Sequence, residues 1–170
     1  MEIFLVVFVV IIIMSILIAI SNNSVRKTQL KSLNITELDL IQCGKYTAGH
    51  PDIDKPINFA EVLCKDNELL IYGSSDRSRP VLSARIPIEK IKNIILEDAS
   101  TVQKRVTVTR LLSTGLFAFA LKKKEKTETA YIIIEWNDGK FDHETIFEFS
   151  NLGAVQKANE TRNKLVKLCR

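Results

Sequence analysis

The chain has 170 residues, of which 46% are hydrophobic and 26% charged, with 24 Lys and Arg against 20 Asp and Glu. Three cysteines at no close spacing exclude a Cys-x-x-Cys metal or redox site, and they suit reduced thiols in a reducing compartment. The net charge of +4 invites an anionic partner, but no helix-turn-helix, zinc module or stacking-aromatic motif points to nucleic acid.

Residues Ile3 to Ile20 read IFLVVFVVIIIMSILIAI, 18 residues without a charge and with Ser15 as the only polar side chain. At about 1.5 Å per residue such a helix spans roughly 27 Å, close to the hydrocarbon core of a bilayer, and it satisfies its own backbone where lipid cannot. The run is long for the apolar core of a secretory signal, and Met1-Glu2 lacks a positive n-region. The expectation is a single transmembrane helix over 3–20. Arg26, Lys27 and Lys31 follow the span and no basic residue precedes it. Flanking Lys and Arg favour the cytoplasm, so the N-terminus is expected outside and the remainder inside.

Residues 21–45 are polar and mixed in charge, with a weak amphipathic patch at Leu38, Leu40 and Ile41, and read as a juxtamembrane tether. From 46 to 170 the period is mostly two. FAEVLCK and ELLIYG flank a turn at Asp66-Asn67; Leu82, Ala84, Ile86 and Ile88 alternate with polar residues; further strands are expected near 46–48 and 91–97. Val102, Val106 and Val108 alternate in the same way, and Ile132, Ile134 and Trp136 share one face of YIIIEW. Asn137-Asp138-Gly139 marks a hairpin turn into FDHETIFEF, with Phe141, Phe147 and Phe149 on one face. At 151–169 the period lengthens to that of an amphipathic helix, with Leu152, Val155, Ala158, Leu165, Val166 and Cys169 inward and Ser150 or Asn151 as cap. The expected fold is mainly β: about seven short antiparallel strands forming a small barrel or sandwich, closed by one C-terminal helix.

Tyr46-Thr-Ala-Gly49-His-Pro51, then Arg105-Val-Thr-Val-Thr-Arg110-Leu-Leu with Gly115, Ala118 and Ala120 before Lys122-Lys-Lys124, then Tyr131-Ile-Ile-Ile-Glu-Trp136 carry a resemblance. Over most of 46–168 the chain resembles a group of bacterial membrane-associated proteins with pleckstrin-homology-like domains, a family of unknown function. The resemblance implies a pleckstrin-homology-like barrel and supplies no catalytic residue. Eukaryotic members that bind phosphoinositides place several cations in the turn after the first strand, where this chain has Asp52, Asp54 and a single Lys55.

The strongest basic feature is Lys122, Lys123, Lys124 and Lys126. Near an anionic leaflet each cation contributes about 1 kcal/mol, which makes this the candidate anionic-surface contact; lysines that only blunt a sheet edge are the plainer alternative. The apolar segment 111–121 before it reads as a core strand with a bend, a short helix, or a contact surface. His50 and His143 have no partner at metal-ligand spacing, and no GxSxG, P-loop or HExxH occurs. No catalytic, cofactor-binding or metal-ligating residue is nominated, and no cofactor. The expected function is a non-enzymatic membrane-anchored module that binds a protein partner or the cytoplasmic leaflet as scaffold or regulator. The alternative is an accessory subunit of a larger membrane complex, and a third reading, an enzyme, would need a pocket of perturbed titratable groups.

Overall fold

The computed structural model describes residues 2–98, 101–102 and 128–169. Helix α1 (Glu2–Ser32) is one unbroken element, far longer than the apolar run alone. It is long and apolar enough to cross a membrane. From Phe4 to Ile20 every large apolar side chain lies open, between 43% and 84% exposed.

Residues 21–45, expected as a juxtamembrane tether, comprise the end of α1, a short turn and the start of the first strands, and part of the stretch packs on the domain. The helix continues to Ser32 and ends in a Schellman motif: the Ile35 amide donates to the Leu30 carbonyl and the Asn34 amide to Lys31, with Asn34 left-handed at φ 54°. Leu30 and Ile35, the apolar pair that commonly accompanies this motif, are both buried.

Two antiparallel sheets of four strands follow. Sheet A has the order β1 (Ile41–Gln42), β3 (Phe59–Lys65), β4 (Glu68–Ser74), β5 (Val81–Pro87); sheet B has β2 (Lys45–Ala48), β8 (Asp142–Ser150), β7 (Thr129–Asn137), β6 (Ile91–Asp98). β1 and β2 are one chain segment bent at Cys43-Gly44, and the bend carries the chain from one sheet to the other. Gly44 is required there, because at φ 71° an added Cβ would lie 2.4 Å from the Glu148 carbonyl oxygen. The hairpin β3–β4 turns on Asp66 and Asn67, both at positive φ, the type I′ geometry that matches strand twist. Helix α2 (Ala154–Leu168) closes the sandwich by bridging its two sheets: the Thr161 hydroxyl donates to the Gln42 carbonyl and Arg162 Nε to that of Ile94.

The core between the sheets holds Tyr46, Val62, Leu69, Ile71, Ile86, Ile132, Ile134, Trp136 and Phe147, capped by Ala154, Ala158 and Leu165. Several expected faces shift. Leu82 leaves the alternation with Ala84 and Ile86 because a bulge opposite Ile71/Tyr72 skips one residue, which sends Leu82 to the outer face. Phe141 sits in the turn before β8 and is 57% exposed, whereas Phe147 and Phe149 are core. On α2 the buried stripe is Ala154, Ala158, Thr161 and Leu165, while Val155 is exposed and Leu152 lies before the helix. Gly153 in a left-handed conformation starts that helix without a side-chain cap, in place of Ser150 or Asn151. Thr101-Val102, expected to begin a strand, is helical; 103–127 lies outside the described residues.

Candidate functional site: the junction of α1 with sheet A

Beyond Ile20, α1 is polar, and its far end is held by the outer face of sheet A. Leu30 and Ile35 pack with Leu63, Leu70 and Tyr72, flanked by Leu33, Leu40 and Leu82. Leu63, Leu70 and Tyr72 sit on the face of β3 and β4 opposite the core, so sheet A is apolar on both sides. Sheets that face water on one side alternate apolar with polar; a second apolar face requires a second covering layer, and the end of α1 supplies it.

One turn earlier, Arg26 fixes the helix polarly. Its Nη2 lies 2.9 Å from Glu37 Oε2 and 2.9 Å from Glu61 Oε1, and its Nη1 donates to the Arg77 carbonyl at 2.7 Å. The Arg26 and Glu61 side chains are only 11% and 7% exposed. A guanidinium suits this position because its planar fork reaches two carboxylates and a carbonyl at once. The Arg26 hydrogen bond holds the Glu37 carboxyl below its ordinary range. Glu37 follows Thr36, whose amide and hydroxyl both donate to Asp39 and close the short turn 37–39. The junction therefore joins four pieces of chain: α1, the turn after it, β3 and the β4–β5 loop.

A second cluster lies on β7 and β8. Trp136 contacts both histidines, stacked on His50 at a ring-centroid distance of 5.1 Å and tilted against His143 at 4.5 Å. Its Nε1–H donates to Thr145 Oγ1 at 3.0 Å. His50 is 4% exposed; its Nδ1 faces the Asp52 amide and its Nε2 the Arg85 carbonyl, which assigns a neutral ring with the proton on Nε2. Burial pushes its pKa down. His143 contacts the Asp138 carboxylate at 2.8 Å, and that contact holds Asp138 low. Among the described residues neither imidazole is hydrogen-bonded to a serine, threonine, cysteine or lysine side chain.

The thiols are placed against nucleophilic chemistry. Cys43 is fully buried and pushed up by desolvation, and Cys169 is pushed up to about 11 by burial and by Cys64. A reactive cysteine needs the opposite shift. Among the described residues no group of three His, Cys, Asp or Glu is arranged to hold a metal ion. The candidate anionic contact Lys122, Lys123, Lys124 and Lys126, and the apolar segment 111–121, lie outside the described residues. Neither the Arg26 junction nor the His50–Trp136–His143 stack was foreseen from sequence. The signal for the first was a Leu30–Asn34–Ile35 helix stop beside a lone arginine; the second joins residues 86 positions apart and left no local mark.

Comparison with protein families, with curated proteins and with solved structures finds no match to this chain.

Proposed function

We propose that this chain is a single-pass membrane protein whose β domain is a pleckstrin-homology-like module on the cytoplasmic side, acting without catalysis by binding a protein partner or the inner leaflet as scaffold or regulator. The observation that carries the reading is the continuity of α1. Its first part is apolar on every face and bare of protein, and its last part is clamped to sheet A by Arg26 and Leu30. A flexible linker would let the domain tumble at the bilayer. A continuous helix with a buried ion pair fixes its orientation instead, which suits a module that must present one surface to a neighbour.

The pleckstrin-homology-like part rests on chain order: a first strand bent across two sheets, two antiparallel meanders, and a terminal helix bridging the open edge. That architecture hosts many tasks, so the function is argued from the junction and the surface. Arg26, Lys27 and Lys31 after the apolar run favour the cytoplasmic side, as do thiols left unpaired. Lys122, Lys123, Lys124 and Lys126 would add about 1 kcal/mol each of attraction to an anionic leaflet.

Carbonate extraction of membranes tests the anchor, and the expected result is retention of the full chain in the pellet; recovery in the supernatant overturns it. Sidedness is tested with Ser24→Cys in a chain whose native cysteines are replaced. A membrane-impermeant maleimide should label it only after permeabilisation, and labelling of intact cells would place the domain outside.

A further inference from the structure

Beside the junction a groove of about 1060 Å³ runs between α2 and the segment 38–42. One wall is a single stripe of α2 carrying Lys157, Lys164 and Lys167, all exposed. None of the three makes an ion pair among the described residues. The acids in the lining are already engaged within the chain: Asp39 accepts from the Thr36 amide and hydroxyl, and Glu160 from Gln156. Those donors are neutral, so both carboxylates keep their charge; with Arg77 beside the three lysines the lining carries four cations against two anions and is net positive. The other wall is mixed: Leu38 at 97% exposure and the half-buried Leu40 and Ile41 alternate with Asp39 and Gln42, and Leu168 at 44% closes the end near Cys64.

We propose that this groove is the docking site for an acidic segment of a protein partner that interleaves acidic with apolar residues. The inference deepens the function proposed above, on whose protein-partner arm it rests. The occupant follows from the two walls. Lysines spaced along one side and leucines along the other match a strand-like peptide, whose side chains alternate between two faces. From Lys157 to Leu168 the helix rises about 16 Å, the length of about five extended residues. A leaflet is flat and cannot reach both walls of a groove, so a peptide is the better fit. Complementary charge of this kind guides encounter and selects the partner, while the apolar contacts set the residence time.

The test uses the full chain in detergent and a fluorescein-labelled hexapeptide of alternating Glu and Leu, followed by anisotropy. The peptide should bind, and binding should weaken as salt rises. A peptide of alternating Lys and Leu should not bind. The triple variant Lys157→Glu, Lys164→Glu, Lys167→Glu should weaken the acidic peptide about tenfold or more, and the milder Lys→Gln set at the same positions should weaken it less. Leu38→Ser should weaken it without changing the salt slope. Changing Lys140, exposed in the turn between β7 and β8, to Gln should leave the affinity unchanged. No binding, equal binding of the basic peptide, indifference to the α2 substitutions, or displacement by phosphatidylglycerol vesicles through the same three lysines each overturns the proposal. Since carbonate extraction reads the anchor separately, loss of peptide binding with the anchor intact rejects the groove alone.

Discussion

Two stretches of one helix break opposite halves of the usual burial rule. Over Phe4–Ile20 the side chains are apolar and exposed; over Ser21–Ser32 they are mostly polar, and yet Leu30 is buried and Arg26 is close to it. In water the first arrangement would leave every apolar side chain of the run unburied, at about 25 cal/mol per Å². The second stretch explains what the helix is for on its protein side. Sheet A has an outer apolar patch that the two-sheet core does not need, and among the described residues it is covered where α1 ends. On the proposed reading the helix has two solvents, lipid along one length and protein along the other, with Arg26 near the change.

The largest expected effect comes from removing the first solvent. Ile11→Arg with Ile12→Arg places two charges at the middle of the apolar run, each costing about 2.5–3.5 kcal/mol on insertion scales. The double variant should shift the chain from the membrane pellet to the supernatant or to degradation, while a chain beginning at Ser21 keeps its fold by circular dichroism. Persistence of the double variant in carbonate-washed membranes would mean that the domain itself holds the bilayer.

Breaking the second solvent should cost less and act on a different readout. Arg26→Ala leaves Glu61 buried without its cation, and removal of one member of such a pair typically costs about 3–5 kcal/mol; the exposed Glu37 partner argues for the lower end. The neighbouring Lys27→Ala, exposed, should change stability by less than about 0.5 kcal/mol. Leu30→Ala should cost about 2–3 kcal/mol through the cavity beneath the helix end. Both junction variants are expected to raise amide exchange at 21–40 before the strands, with membrane retention unchanged. Equal exchange across the whole domain would show that α1 is part of the global fold rather than a docked layer.

How much of this was legible in sequence depended on range. The apolar run, the Asp66-Asn67 hairpin, the Asn137–Gly139 turn and the inward face Ile132–Ile134–Trp136 are local patterns, and the structure has each of them. The polarity of 21–45, averaged over the stretch, gave no sign of the docking, which rests on a few residues such as Arg26, Leu30 and Ile35. Leu82 was misplaced because a bulge changes the face without changing the residue pattern. The stripe of α2 was displaced because small residues do the packing: Ala154, Ala158 and Thr161 let the helix approach both sheets closely, while the larger Val155 stays outside. For the candidate anionic contact at 122–126 the sequence reading stands alone.

The smallest effect separates the domain from its anchor by pH. His50 is buried as a neutral ring between Trp136, the Arg85 carbonyl and the Asp52 amide, with the Asp52 carboxylate 3.9 Å from Nδ1 and His143 against the same indole. Its pKa in the folded chain lies below the ordinary 6.5, so in the window beneath 6.5 the unfolded chain binds the extra proton and the folded one does not. Stability must therefore fall as pH drops through that window, and be fully present above it. Asp138, Asp142 and Glu37, whose carboxyls are all held low, lose their contributions only at more acid pH, beneath the ordinary carboxyl values of 3.8 to 4.5. Denaturant midpoints followed by Trp136 fluorescence should decline between pH 7 and about 5. In His50→Phe that decline should flatten, because the stacked ring stays and the titrating nitrogen goes. Neither change should touch the apolar run, so retention in the membrane pellet after a high-salt wash should be the same at both pH values. A midpoint that is flat from pH 7 to 5 in the unmodified chain would mean that the His50 ring accepts its second proton without leaving the stack.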